Sequence, residues 1–348
     1  MSRRSWKSVK GVRIADVAQL AGVSTATVSR VLANPDQVRA KTHKAVMEAV
    51  RRSGYTPNSV ARNLRTRRTM AVLVVAPRLT NPVFAQVLRG VDDELTQSGY
   101  GIIVANLDNQ TEREARYVDL VLSRQVDGVL LMNGRIPQGG KRSMGDAGIP
   151  IVAMCSAIPG SGIPNITVQD HEASRKAAEY LAQLGHRSFG YISGLPGTYI
   201  ETERCKGFQE GVTAAGFSEK VVRWEGPFTF STGVAAAESF LRMKKRPTGI
   251  FAACDESAIG FVKTVQAAGV RVPEDVSVIG FDGIEFADFA EPTLTTFRQP
   301  LREIGRTGAQ ALLKMIQGEA GQADWNVRLP LELLERGTTG PAPEEMRG

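Results

Sequence analysis

Between Val12 and Leu32 the apolar positions fall at helical spacing in two short runs separated by Gly22. Ile14, Val17, Ala18 and Ala21 share one face of the first run, and Val28, Val31 and Leu32 share one face of the second. Gly22 suits a tight turn, Asp16 the positive end of the first helix, and Ser24 the cap of the second. The pattern predicts a helix-turn-helix. A third amphipathic stretch, AKTHKAVMEAVRRSGY, turns Ala45, Val46, Ala49 and Val50 inward and ends at Gly54, so a three-helix head closes by Tyr55. The following TPNSVARNLRTRRT opens on a proline and has too few apolar residues around Ala61 and Leu64 to hold a helix alone. It reads as a linker that orders on contact.

From Met70 the pattern changes to short β-branched runs alternating with amphipathic helices. MAVLVVAP, PVFAQVLRGVDDELTQSG, YGIIVANL, EREARYVDLVLSRQ and VDGVLLM come first, and the alternation restarts after Ile163 and runs to VSVIGF. Successive βα units predict parallel sheets covered on both faces, here two doubly wound lobes of similar size. A last helix, LREIGRTGAQALLKMIQG, and a last strand, VRLPLELLER, return to the lobes by crossovers. The expected division is a head at 1–56, a hinge at 57–69, a body at 70–340 and a tail at 341–348. Within the body one lobe takes 70–165 and 299–323, the other 166–298 and 324–340. Two such lobes face each other across a cleft at the carboxyl ends of their strands, where ligands of open α/β sheets bind.

Charge sharpens this division. Residues 1–70 hold fifteen Lys or Arg against Asp16, Asp36 and Glu48, a net +12, while the whole chain is +7, which leaves −5 for the rest. A polyanion partner is therefore expected at the head alone. The alternative, a basic membrane anchor, lacks an apolar face bearing Trp or Phe. The basic start leads into no continuous apolar run, so a cytoplasmic protein is expected. Cys155, Cys205 and Cys254 lie far apart, and His43, His171 and His186 form no paired ligand motif, so neither disulfides nor a metal site nor any cofactor is indicated.

Enzyme signatures are missing as well. GRIPQGGKRS has one residue too many before Gly140-Lys141, and Arg142 where a phosphate loop needs Ser or Thr. No catalytic residue is nominated. Asp108, Asp255 and Asp282 instead follow strands and are placed to accept hydrogen bonds from vicinal hydroxyls, with Phe84 and Phe228 offering apolar surfaces. The alternative for each aspartate is a cap on the next helix, Asp255 most of all. Arg204, one turn before the small-residue face of Gly207 and Gly211, is a candidate to fork onto a ligand. On the second helix of the head, Thr25, Ala26, Ser29 and Arg30 remain outward, and Arg30 has the reach to read guanine in a major groove.

IADVAQLAGVSTATVSRVL, GYTPNSVARNLRT, TNPVFAQVLRG, VDGVLL, QLGH, RVPEDVSVIGFD and LTTFRQP together resemble the lactose repressor (LacI/GalR) family of bacterial transcription regulators, in the same order, from Val12 to Gly340. The resemblance implies a homodimer, or a dimer of dimers, on a near-palindromic operator. It gives base contacts to Thr25, Ala26 and Arg30, places Ser24, Thr27 and Asn34 near phosphates, and makes the stretch from Asn58 to Leu64 a hinge helix whose leucine enters the minor groove. In the cleft it implies effector contacts for Arg204, Asp282 and Gln299, with Phe84 and Phe228 lining the pocket and Asp170 in a position commonly Asn. Cys155, Cys254 and Gly283 depart from frequent Asp, Asn and Asp, so the hydroxyl pattern does not carry over. The expected protein is a repressor controlled by a sugar or sugar acid, and not an enzyme. The body alone would also fit a transport receptor or a sugar-modifying enzyme.

Overall fold

The chain divides into two compact units, residues 1–69 and 70–348. The computed structural model describes residues 12–33, 37–55, 68–107, 110–194, 196–217, 221–319 and 326–344. Asn34, Asn58, Leu64 and Asp108 lie outside the described residues.

In the head, α1 (Ile14–Ala21), α2 (Thr25–Ala33) and α3 (Ala40–Ser53) bury Val17, Ala18, Val28, Val31, Val46 and Ala49 against one another. Gly22 takes φ +65° and ends α1, a left-handed conformation that costs glycine little. Ser24 Oγ accepts the Thr27 N–H at 3.1 Å and starts α2. Ala45 is exposed, against expectation, and Met47 packs on this core in its stead, because the inward stripe of α3 runs through Val46 and Ala49.

The body holds two six-stranded sheets. The first contains β1 (Ala71–Ala76), β2 (Gly101–Asn106), β3 (Gly128–Leu131), β6 (Ile151–Met154), β7 (Asn165–Val168) and β13 (Val327–Leu329), in the order β13-β7-β6-β3-β1-β2, all parallel. Between β3 and β6 the chain makes a small hairpin of β4 (Gln138–Gly139) and β5 (Arg142–Ser143). The second sheet contains β8 (Phe189–Ile192), β9 (Val222–Trp224), β10 (Gly249–Ala252), β11 (Ser277–Asp282), β12 (Thr295–Arg298) and β14 (Glu332–Leu334), in the order β14-β12-β11-β10-β8-β9. Only its edge strand β14 runs antiparallel.

Helices α4 (Pro82–Gln97), α5 (Thr111–Leu122) and α10 (Leu301–Gln317) cover the first sheet, and α6 (Asp170–Gln183), α7 (Tyr199–Ala214), α8 (Phe230–Leu241) and α9 (Asp255–Ala267) the second. With helices on both faces, the central strands are buried along their length and read as continuous apolar runs.

The lobe boundaries differ from expectation. Residues 166–168 complete the first sheet beside β6, so the crossing comes after Val168. VRLPLELLER is two strands: Pro330 offers no N–H to a ladder, and the chain passes there from β13 in the first sheet to β14 in the second. The expected tail is also partly structural, for Ala342 is buried and donates its N–H to the Leu184 carbonyl at 2.8 Å.

Candidate functional site

The second helix of the head presents one polar face. Thr25, Ala26 and Arg30 are exposed opposite the buried Val28 and Val31, and Ser24 and Thr27 stand at the N-terminal end with their hydroxyls 2.9 Å apart. The helix packs through one stripe and leaves short side chains around one long guanidinium, a shape that enters a groove without steric conflict.

In the body, helix α7 carries Arg204 into the interior. The Thr198 hydroxyl accepts the Glu201 N–H at 3.3 Å to start the helix, and Arg204 follows one turn later on its buried face. Its side chain is only 4% exposed. Nε donates to Asp170 Oδ1 at 2.8 Å, Nη1 donates to the Ala253 carbonyl at 2.5 Å, and Nη1 lies 3.7 Å from Asp282 Oδ1. The guanidinium stacks 3.6 Å from the centroid of Phe281, with Phe228 at 5.9 Å. Burial works against the charged form of Arg204, but Asp170 and Asp282 outweigh it and hold its pKa above the ordinary value.

The carboxylates around it respond in the opposite sense. Burial raises the pKa of Asp170 and raises that of Asp282 well above the usual carboxylate range, while Arg204 restrains both. Gln299, at the second crossover, donates to Asp282 Oδ1 at 2.6 Å. Asp282 itself sits at φ +125°, in a region L residues avoid, where the chain leaves the strand end. Asp170 Oδ2 is buried and has no hydrogen-bond partner. Next to a buried cation this is an open acceptor position, suited to a donor such as a hydroxyl.

The structure thus brings together Arg204, Asp170, Asp282, Gln299 and Phe228. It does not bring Asp255 to them as a free group. Both oxygens of Asp255 are occupied, Oδ1 by the Thr296 hydroxyl at 2.6 Å and Oδ2 by the Ile284 N–H at 2.9 Å, and the residue is fully buried. Burial pushes its pKa up to about 6. Nor is it the helix cap: Cys254 holds that place, its Sγ accepting the Ser257 N–H at 3.4 Å. Phe84, in the first turn of α4, packs half-buried on the core of the first lobe. Cys155 and Cys254 are buried, and burial first, with nearby carboxylates, pushes both thiols up to about 12, so neither is a nucleophile at neutral pH.

Two residues absent from the sequence candidates lie just past the carboxyl ends of strands in the first sheet. Arg78, in the loop after β1, reaches across to the second lobe, where Nη2 donates to the Phe228 carbonyl at 2.9 Å and to Glu256 Oε2 at 3.0 Å. Asn133, two residues past the end of β3, has both amide atoms buried without a partner. A basic or amide residue just beyond a strand's carboxyl end is the same positional signal that nominated the aspartates, applied to other side chains. Among the described residues no group of His, Cys, Asp and Glu is placed to hold a metal ion, and no helix is long and apolar enough to cross a membrane.

Two family models match the chain: "Bacterial regulatory proteins, lacI family" over residues 13–58, and "Periplasmic binding protein-like domain" over residues 178–339. The HTH-type transcriptional repressor CytR of Escherichia coli K12 is 32% identical over 343 residues, covering 98% of this chain and 100% of its own. The chain belongs to the lacI family of regulatory proteins. Solved structures of this family share its fold. The lac repressor dimer bound to operator and the anti-inducer ONPF matches with a TM-score of 0.84 at 28% identity, covering 95% of this chain and 100% of its own. The complex of the transcriptional regulator CelR with cellobiose matches with a TM-score of 0.71 at 31% identity, covering 94% and 99%. A lacI-type head and a two-lobed body thus stand in one chain.

Proposed function

We propose that the protein is a transcriptional repressor of the bacterial cytoplasm that binds operator DNA through its head and is switched by a small hydroxylated molecule held between the lobes of its body. The observation that carries the reading is the exposure of Thr25, Ala26 and Arg30 on α2, opposite buried Val28 and Val31, in a segment of net charge +12. Such side chains read base edges in a major groove, Arg30 through two hydrogen bonds to guanine. Ser24 and Thr27 meet phosphates at the helix N-terminus. Asn34 and Asn58 add further phosphate contacts, and Leu64 wedges into the minor groove at the central step of a near-palindromic operator.

Two copies present two heads, as in the lac repressor dimer, and the half-sites mirror that symmetry. In the body, Arg204, Asp170 and Asp282, with Gln299 behind them, hold the effector's hydroxyls, and Phe228 borders it. The body binds this molecule without transforming it. Closing the lobes alters the spacing of the two hinge segments and so the affinity for DNA; a coupling of about 1–3 kcal/mol corresponds to a change of roughly 5- to 150-fold.

The test is a footprint on DNA upstream of the protein's own gene, compared with random duplex across a salt series. A discrete protected site is expected. Arg30→Ala should weaken that site by about 1–3 kcal/mol and leave random duplex nearly unchanged. Salt-sensitive binding with no discrete site, or equal losses on both duplexes, would refute the assignment.

A further inference from the structure

We infer that the effector carries no negative charge, and that the Arg78–Glu256 pair enforces this by committing to lobe closure the guanidinium an anion would need. The inference rests on the reading of the cleft as an effector site, and it removes the sugar acids from that reading.

The charges of the cleft are already opposed. Arg204 is enclosed by Asp170, Asp282, the Ala253 carbonyl and the face of Phe281. One buried cation therefore faces two carboxyl groups, and one oxygen of Asp170 still lacks a partner. A ligand carboxylate or phosphate placed there faces two carboxyl groups that already engage the one buried cation, and desolvating it without a cation of its own is unfavourable. Arg328 is exposed on β13, so solvent screens the charge it offers an anion.

The partly buried guanidinium that joins the two lobes belongs to Arg78. Its Nη2 joins the first lobe to two groups of the second, the Phe228 carbonyl and Glu256. The Glu256 side chain is 7% exposed and that of Arg78 33%. An anion that took Arg78 would leave the Glu256 carboxylate nearly buried and unpaired, and would release the contact that ties the lobes. Anion binding and closure therefore compete for one side chain. A neutral polyol meets no such conflict. One hydroxyl donates to Asp170 Oδ2, and a neighbour accepts from the guanidinium of Arg204.

The experiment measures binding to the full-length protein by calorimetry and thermal shift with matched pairs that share a hydroxyl pattern: glucose and glucuronate, ribose and ribose 5-phosphate, cellobiose and cellobionate. The neutral member of a pair should bind at least tenfold more tightly, and the binding should disappear in Arg204→Leu. In Glu256→Gln, which releases Arg78, the anionic member should gain at least fivefold relative to its neutral partner; in Arg78→Met it should gain nothing. An anion that binds more tightly in an Arg204-dependent way overturns the inference and leaves the effector site standing. Equal loss of both members in Glu256→Gln reduces the pair to a structural contact and also overturns it. If no member of any pair binds, the inference falls together with the reading of the cleft.

Discussion

Asp255 and Asp282 both close strands of the second sheet, yet their surroundings give them different work. Asp282 shares one oxygen with Gln299 and faces the Arg204 cation, whereas Asp255 spends both oxygens on Thr296 and Ile284. Asp255 is thus a staple between the start of α9, the loop after β11 and strand β12. Asp255→Ala would leave a buried N–H and a buried hydroxyl without partners, at a cost of about 3 kcal/mol in unfolding free energy by urea titration, while the effector affinity of the folded fraction stays near its original value. An unchanged urea midpoint with a lost ligand response would return Asp255 to the effector site. The position of both aspartates was legible from the strand ends in the sequence, but their partners were not, because Thr296 and Ile284 lie 41 and 29 residues away along the chain. Arg78 escaped for a similar reason. Its partners belong to the other lobe, and nothing in APRLTN announces a contact 150 residues distant.

Among the elements, the helix pair α6 and α7 sets the geometry of the site. A Cβ on Gly207 would lie 2.1 Å from the His171 carbonyl oxygen, and one on Gly211 2.5 Å from that of Arg175. The two helices approach closely enough that only glycine fits, and this approach brings Arg204 on one helix to Asp170 on the other. The pair α8 and α9 meets in the same way, with a Cβ on Gly233 1.9 Å from the Ser257 carbonyl oxygen. Both Gly207→Ala and Gly233→Ala should lower stability by about 2 kcal/mol through overpacking. Only Gly207→Ala should also weaken effector binding, because it pushes His171, the neighbour of Asp170, away from α7. Calorimetry on both variants separates the two effects, and equal affinities would show that the helix spacing does not position the ion pair. The alternation of strands and helices was readable from periodicity alone. The crossovers were not, since a passage of one to two residues, as between Val168 and Asp170, leaves no composition signal, and VRLPLELLER keeps an apolar pattern across the proline that divides it.

At the scale of the molecule, the concentration of charge at one end was plain in the sequence, while one apolar face of the body was not. Phe230 is 40% exposed, Val234 37%, Phe286 55% and Phe289 79%, and the rings of Phe230 and Phe286 meet edge to face at 6.3 Å. Beside them Ile259, Val262, Ala290 and Pro292 line a groove of about 270 Å³ that also includes Phe289. Helical spacing identifies an apolar face but cannot say whether the chain covers it from within, and here it does not. A patch of this kind, on a chain whose relative the lac repressor binds operator as a dimer, is expected to seat the second copy. Phe289→Asp places a charge on its most exposed ring, which is 79% exposed and so has little internal packing to lose. The variant should keep its thermal midpoint within a few degrees and bind effector as before, yet sediment as a monomer at micromolar concentration. Its operator affinity should then fall by about a hundredfold or more, because the second head is no longer held at high local concentration beside the first. A variant that remains dimeric would move the interface to another face of the body, and one that is monomeric but still binds operator fully would show that a single head suffices.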